Sequence, residues 1–80
     1  MTKKEFLEIC DIAIKEKKGI IVYVDIPGNK HYEHIANNAE DVETKKKYYD
    51  ITYDENMSHK HAPVVIVGAK PFDVMPNPKF

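Results

Sequence analysis

The stretch IIVYVDIPGNK, residues 20–30, decides the fold. Ile20, Val22, Val24 and Ile26 alternate with Ile21, Tyr23 and Asp25, so the segment reads as a strand apolar on one face and mixed on the other. Pro27-Gly28-Asn29-Lys30 is turn chemistry: proline presets its own φ, and glycine and asparagine accept the conformations a reversal needs. His31 to Ala36 is expected to return as the second strand of a hairpin, more polar and at the sheet edge. One helical turn is the other option for that segment.

On the amino-terminal side, Thr2 and Glu5 have capping-box spacing. Phe6, Ile9, Cys10, Ala13 and Ile14 then recur at helical spacing with Leu7 beside them, while Lys4, Glu8, Asp11, Lys15 and Lys18 take the opposite face. Lysines crowd the last turn, where they suit the helix dipole. Gly19 is expected to be the left-handed stop.

On the carboxyl-terminal side, Asn38 to Lys60 reads as one long helix, capped by Asn37 or Asn38, with Glu40 and Asp41 in its first turn. Asp41 with Lys45 and Glu43 with Lys47 have the i,i+4 spacing of favourable ion pairs. Val42, Tyr49, Tyr53 and Met57 form the core stripe, and Tyr48 and Ile51 lie off it. A helix in a small domain needs one apolar face. The second pair is therefore the best lead to a binding surface, although single exposed apolar residues are common. An aromatic anchor with an aliphatic neighbour is the usual composition of an interface hot spot.

Pro63 disfavours helix in the residue before it. Val64 to Ala69 reads as a strand apolar on both faces, and Lys70 to Phe80, with Pro71, Pro76 and Pro78, as an extended tail that offers Phe72, Val74, Met75 and Phe80. Residues 1–69 thus form a single domain and 70–80 a proline-containing tail. The order is α-β-β-α-β. A right-handed crossover through the long helix places strand three beside strand one, in spatial order 2-1-3. The expected fold is α+β, a two-layer sandwich with a three-stranded sheet and both helices on one face. Ile21 and Tyr23, with Val65 and Val67, would then lie bare on the other face, and a sizeable bare apolar face marks an interface.

Composition narrows the function classes. Eighty residues make one domain with a small core, and the one cysteine excludes an internal disulfide. Self-association is then a natural way to bury more surface, so a homo-oligomer is expected. Twelve basic and thirteen acidic residues are interspersed with a net charge of -1, which argues against a duplex nucleic-acid binder. The start MTKKEF has no apolar signal core, and the apolar runs are too short to span a bilayer. One free cysteine fits a reducing compartment, so a cytoplasmic location and no membrane partner are expected.

No pattern of a hydrolase elbow, a zinc protease, a phosphate-binding loop or a dinucleotide fold occurs, so no catalytic residue, metal or cofactor is expected. His31 and His34 would face opposite sides of a strand. His59 and His61 would share a side, but no third ligand or supporting shell accompanies them. Cys10 falls on the core face and reads as a small buried hydrophobe. Asp50, Asp54 and Glu55 read as a solvated acidic helix edge, without the cleft that separates carboxyl pKa values. Lys45-Lys46-Lys47 beside Tyr48 and Tyr49 can hold phosphates and stack bases. Consecutive helical lysines fan about 200° round the axis, however, so they do not share one site. The leading expectation is a non-enzymatic protein binder using Tyr48, Ile51, Ile21 and Tyr23. The alternative is an oligomer that sequesters a small nucleotide between subunits, with Tyr23, Tyr32 and Tyr48 stacking and Lys46 and Lys47 on the phosphates.

The segments IVYVDIPG, KKKYYDITYDEN and VGAKPF resemble pieces of short uncharacterised proteins encoded by phages and prophages of Firmicutes. The resemblance is one of pattern and order across most of the chain, and brings no catalytic motif. It implies an accessory protein of the host-cell cytoplasm that binds and modulates or inhibits a host factor, with an anti-defence role, or that sequesters a nucleotide signal.

Overall fold

The computed structural model describes residues 1–73. Helix α1 spans Lys3–Glu16, strand β1 Gly19–Asp25, strand β2 Glu33–Asn37, a short 3-10 turn Ala39–Asp41, helix α2 Val42–Thr52 and strand β3 Val65–Phe72. The sheet is antiparallel throughout, with order β2-β1-β3. This is the expected α+β architecture. Because β2 and β3 both run against β1, they are parallel to each other with β1 between them, and α2 carries the chain across.

The alternation of residues 20–26 holds. Ile20, Val22 and Val24 are buried on the helix side, and Phe6, Cys10 and Ala13 of α1, Val42 and Tyr49 of α2, and Ile66 of β3 join them in one core cluster. The helices meet at Phe6 and Tyr49, whose rings stand edge to face at 5.0 Å. Lys3 pairs with Asp50 and Asp11 with Lys46, so α1 and α2 run antiparallel. Those bonds link the two helices, whereas the i,i+4 pairs expected within α2 are not among the ion pairs of the described residues. Asn37, the buried polar side chain, donates to the Tyr49 hydroxyl at 3.4 Å and ties the end of β2 to α2. At the other edge of the sheet, Lys18 reaches Glu16 and Asp73.

The ends of the elements correct the sequence reading. Thr2 and Glu5 form the expected capping box. Lys17, not Gly19, takes the left-handed conformation at the end of α1, with φ 58°, and its N–H and that of Lys18 return to Ile14 and Ala13. Gly19 instead opens β1, and its missing side chain has a different use. A Cβ there would lie 2.4 Å from the Asn37 carbonyl oxygen and 2.7 Å from the Phe72 ring.

The long helix ends at Thr52, not near Lys60. Tyr53 is extended and Asp54 captures the following backbone, accepting from the N–H groups of Asn56 at 2.9 Å and Ser58 at 3.0 Å. Such local side-chain bonds compete with helix. Tyr53 and Met57 still reach the core, but from a folded loop rather than from a helix face. Asp54 therefore does not share a helix edge with Asp50. Neither asparagine supplies the expected side-chain cap, since Asn38 makes no capping bond and Asn37 is committed to Tyr49. Strand β3 runs on through Lys70, Pro71 and Phe72, past the expected end at Ala69. It is an edge strand, as the order 2-1-3 requires, and an edge tolerates Pro71. Val74, Met75 and Phe80 lie outside the described residues.

Candidate protein-binding surfaces

Two apolar surfaces remain without a partner in the fold. The first is the sheet face turned away from the helices. In the register, Gly19 stands opposite Phe72, Ile21 between Ala36 and Lys70, Tyr23 between His34 and Gly68, and Asp25 opposite Val65. Val67 is the extra residue of a bulge opposite the Tyr23–Val24 step. Ile21, Tyr23, Val65, Val67 and Phe72 are half-buried, and none of them belongs to the core cluster. The two aromatic rings lie over glycine positions: Phe72 over Gly19, and Tyr23 against Gly68, where a Cβ would sit 3.5 Å from its ring. Tyr23 also meets the His34 ring edge to face at 4.8 Å. The result is a broad, low apolar surface with Lys70 and Asp25 exposed on it.

The second surface is the outer side of α2. Ile51 is 72% exposed and Tyr48 48% exposed, three residues apart on one helix and therefore neighbours. Tyr48 is held at its position by the Tyr49 ring at 5.3 Å and by the Lys45 ammonium 5.5 Å from its centroid. Neither Tyr48 nor Ile51 is a core residue, as the sequence pattern indicated.

The nucleotide set does not converge within one chain. Tyr23 is on the open sheet face, Tyr32 is exposed before β2, and Tyr48 is on α2 in the opposite layer. Lys46 and Lys47 do come together, in a shallow groove of about 460 Å³ between the helices, lined by Asp11, Ile14, Glu43, Lys46, Lys47 and Asp50. Its three carboxylates outnumber its two lysines. Asp11 already binds Lys46 and raises the pKa of that ammonium, chiefly by the hydrogen bond between them. A phosphate entering this groove would meet net negative charge.

Cys10 is buried, and burial pushes its thiol up to about 11, away from the range of a reactive thiolate. His59 Nδ1 accepts the His61 backbone N–H at 2.9 Å, and the His59 ring stands edge to face on Tyr53 at 5.2 Å. No group of three or more potential metal-ligating side chains occurs among the described residues. Burial raises the pKa of Tyr49, and of Tyr53 likewise, as expected of core phenols.

Sequence reading missed Ile35. On β2 it lies opposite Val22, on the helix side, yet it is 44% exposed. The apolar alternation signalled its side but not that the helices leave the outer strand uncovered. Phe72, read from the sequence as part of a tail because Pro71 precedes it, is the last residue of β3 and lies on the open face. The chain matches no protein-family model, no curated protein and no solved structure with which it was compared. No helix among the described residues is long and apolar enough to cross a membrane.

Proposed function

We propose that this protein is a non-enzymatic binding module, an accessory protein of phage type that modulates or inhibits a protein of its host, in an anti-defence role. The observation that carries the reading is the open sheet face, where Ile21, Tyr23 and Phe72 stay outside the core while the helices fill the opposite side. A sheet face of this kind is costly to leave wet and suits an apolar partner surface. Tyr48 and Ile51 supply a second, smaller contact on the far layer.

The test is native mass spectrometry on tagged protein recovered from host lysate, repeated with two surface variants. One complex of fixed stoichiometry, lost in Tyr23→Asp or in the Tyr48→Asp/Ile51→Asp double variant while the melting temperature is unchanged, supports the reading and assigns the surface. A complex that survives both variants sinks the assignment. A small extra mass on the protein, with a nucleotide raising the melting temperature by linkage, replaces the protein-binding reading by nucleotide sequestration.

A further inference from the structure

The two edges of the sheet are treated differently. The outer side of β3 is defended against strand pairing in three ways. Ser58 bridges Val65 and the Met57 carbonyl accepts from Ile66 N–H, so the loop covers its first residues. A bulge at Val67 breaks its regularity, and Pro71 removes a donor near its end. The edge of β2 has no proline, no bulge and no covering segment among the described residues.

The backbone parity of β2 follows from one contact. The Asn37 carbonyl oxygen lies 2.4 Å from where a Gly19 Cβ would be, so it points across to β1. In an antiparallel ladder the two polar groups of one residue point the same way, and the direction alternates along the strand. Glu33, Ile35 and Asn37 therefore bond inward, and the N–H and C=O groups of His34 and Ala36 point out to solvent. Only one symmetric antiparallel pairing uses all four outward groups within β2. It is centred on Ile35, with His34 bonded to Ala36 of the second copy and the reverse. That register sets Ile35 opposite itself at a non-hydrogen-bonded position, where cross-strand side chains come closest. It covers the apolar residue that the helices leave 44% exposed, and it sets Glu33 opposite Asn37, so no like charges meet.

We propose that the edge of β2 is a homodimer interface, in which two copies pair antiparallel about a two-fold axis at Ile35 and merge their sheets into one of six strands. This goes beyond the binding reading above, since it holds whichever target the open face takes. The merged sheet also presents two open faces, each with its Ile21 and Tyr23, side by side. A strand-only interface is small, so association in the micromolar to millimolar range is expected.

The test is sedimentation or light scattering of the full chain up to about 1 mM, the weak limit of that range. The wild type should pass from monomer to dimer. Ala36→Pro removes one outward N–H from each copy, two of the four cross-dimer bonds, and leaves the bonds to β1, so the variant should stay folded and weaken association at least tenfold. Ile35→Cys should form a disulfide-linked dimer on mild oxidation, because its paired Cα atoms fall within disulfide reach. Glu33→Cys, displaced from its counterpart by four residues, should not. A wild type that is monomeric throughout overturns the proposal. So does a dimer kept by Ala36→Pro and lost in Tyr23→Asp, which would move the axis to the open face. Equal crosslinking of the two cysteine variants would overturn the register.

Discussion

At the end of α1 a lysine and a glycine each occupy the position the other would suit on intrinsic preference. Lys17 carries the left-handed backbone at φ 58°, and Gly19, in the strand, has its Cβ space filled by the Asn37 carbonyl and the Phe72 ring. Lys17→Gly should therefore raise stability by about 1 kcal/mol, by removing the steric cost of a side chain in that region. Gly19→Ala should lower it by about 1–3 kcal/mol, since an oversized side chain displaces backbone rather than a flexible tip. Urea melts of the two variants against wild type check both signs. The position of the glycine near the helix end was plain from the sequence, but its use was not, because the clash comes from β2 and β3. A second residue sets an acid limb. The Asp54 carboxylate accepts from Ser58 and Asn56 N–H, and these bonds hold its pKa below the ordinary 3.8. The folded state thus favours the charged form. Its contribution is complete above pH 3.8 and is lost as pH falls through the lower folded value. Asp54→Ala should be less stable than wild type at pH 7, and the gap should narrow below pH 3.8 in parallel urea titrations.

At the scale of elements, the helix α2 and the loop after it divide what spacing alone can show from what it cannot. Val42 and Tyr49 repeat at seven residues and are core residues on a helix, as the pattern requires. Tyr53 and Met57 follow at steps of four, which also fits a helix, and both are buried, yet the helix has ended. Apolar spacing reports burial, not the backbone path. The break lies in Asp54, whose carboxylate offers the Asn56 and Ser58 N–H groups a better partner than a helical carbonyl four residues back. Met57 then sits at φ 60°, a strained conformation held by its fully buried side chain and by the bond from Ile66 N–H to its carbonyl. Met57→Ala should cost about 2–5 kcal/mol, the range for emptying a core methionine site, and should loosen the loop cover over β3. Tyr48→Asp and Ile51→Asp, in contrast, should change stability by less than about 0.5 kcal/mol. Thermal melts of the three variants distinguish the two classes directly. The Tyr48 and Ile51 surface was legible because it needs only the local helix. The Ile35 edge was not, since it depends on how far the helices reach across the sheet.

At the scale of the whole molecule, one small core joins both helices, β1, β3 and the loop, so no element is expected to open far without the others. Cys10 tests this. It lies fully buried in that cluster, and burial raises its thiol pKa to about 11, so in the folded state it is both shielded and protonated. A thiol reagent at pH 8 should therefore label it only through opening, at a rate set by the population of the open form when closing is fast. If opening is global, the labelling rate should rise with urea along the slope of the equilibrium melt. The rate should also fall by the same factor in Lys17→Gly as the unfolding constant does. If α1 instead detaches alone, labelling will be fast and nearly flat in urea while the sheet persists. For a chain of this size global opening is the expected result, because α1 detached from α2, β1 and β3 would expose the part of the shared cluster that it covers.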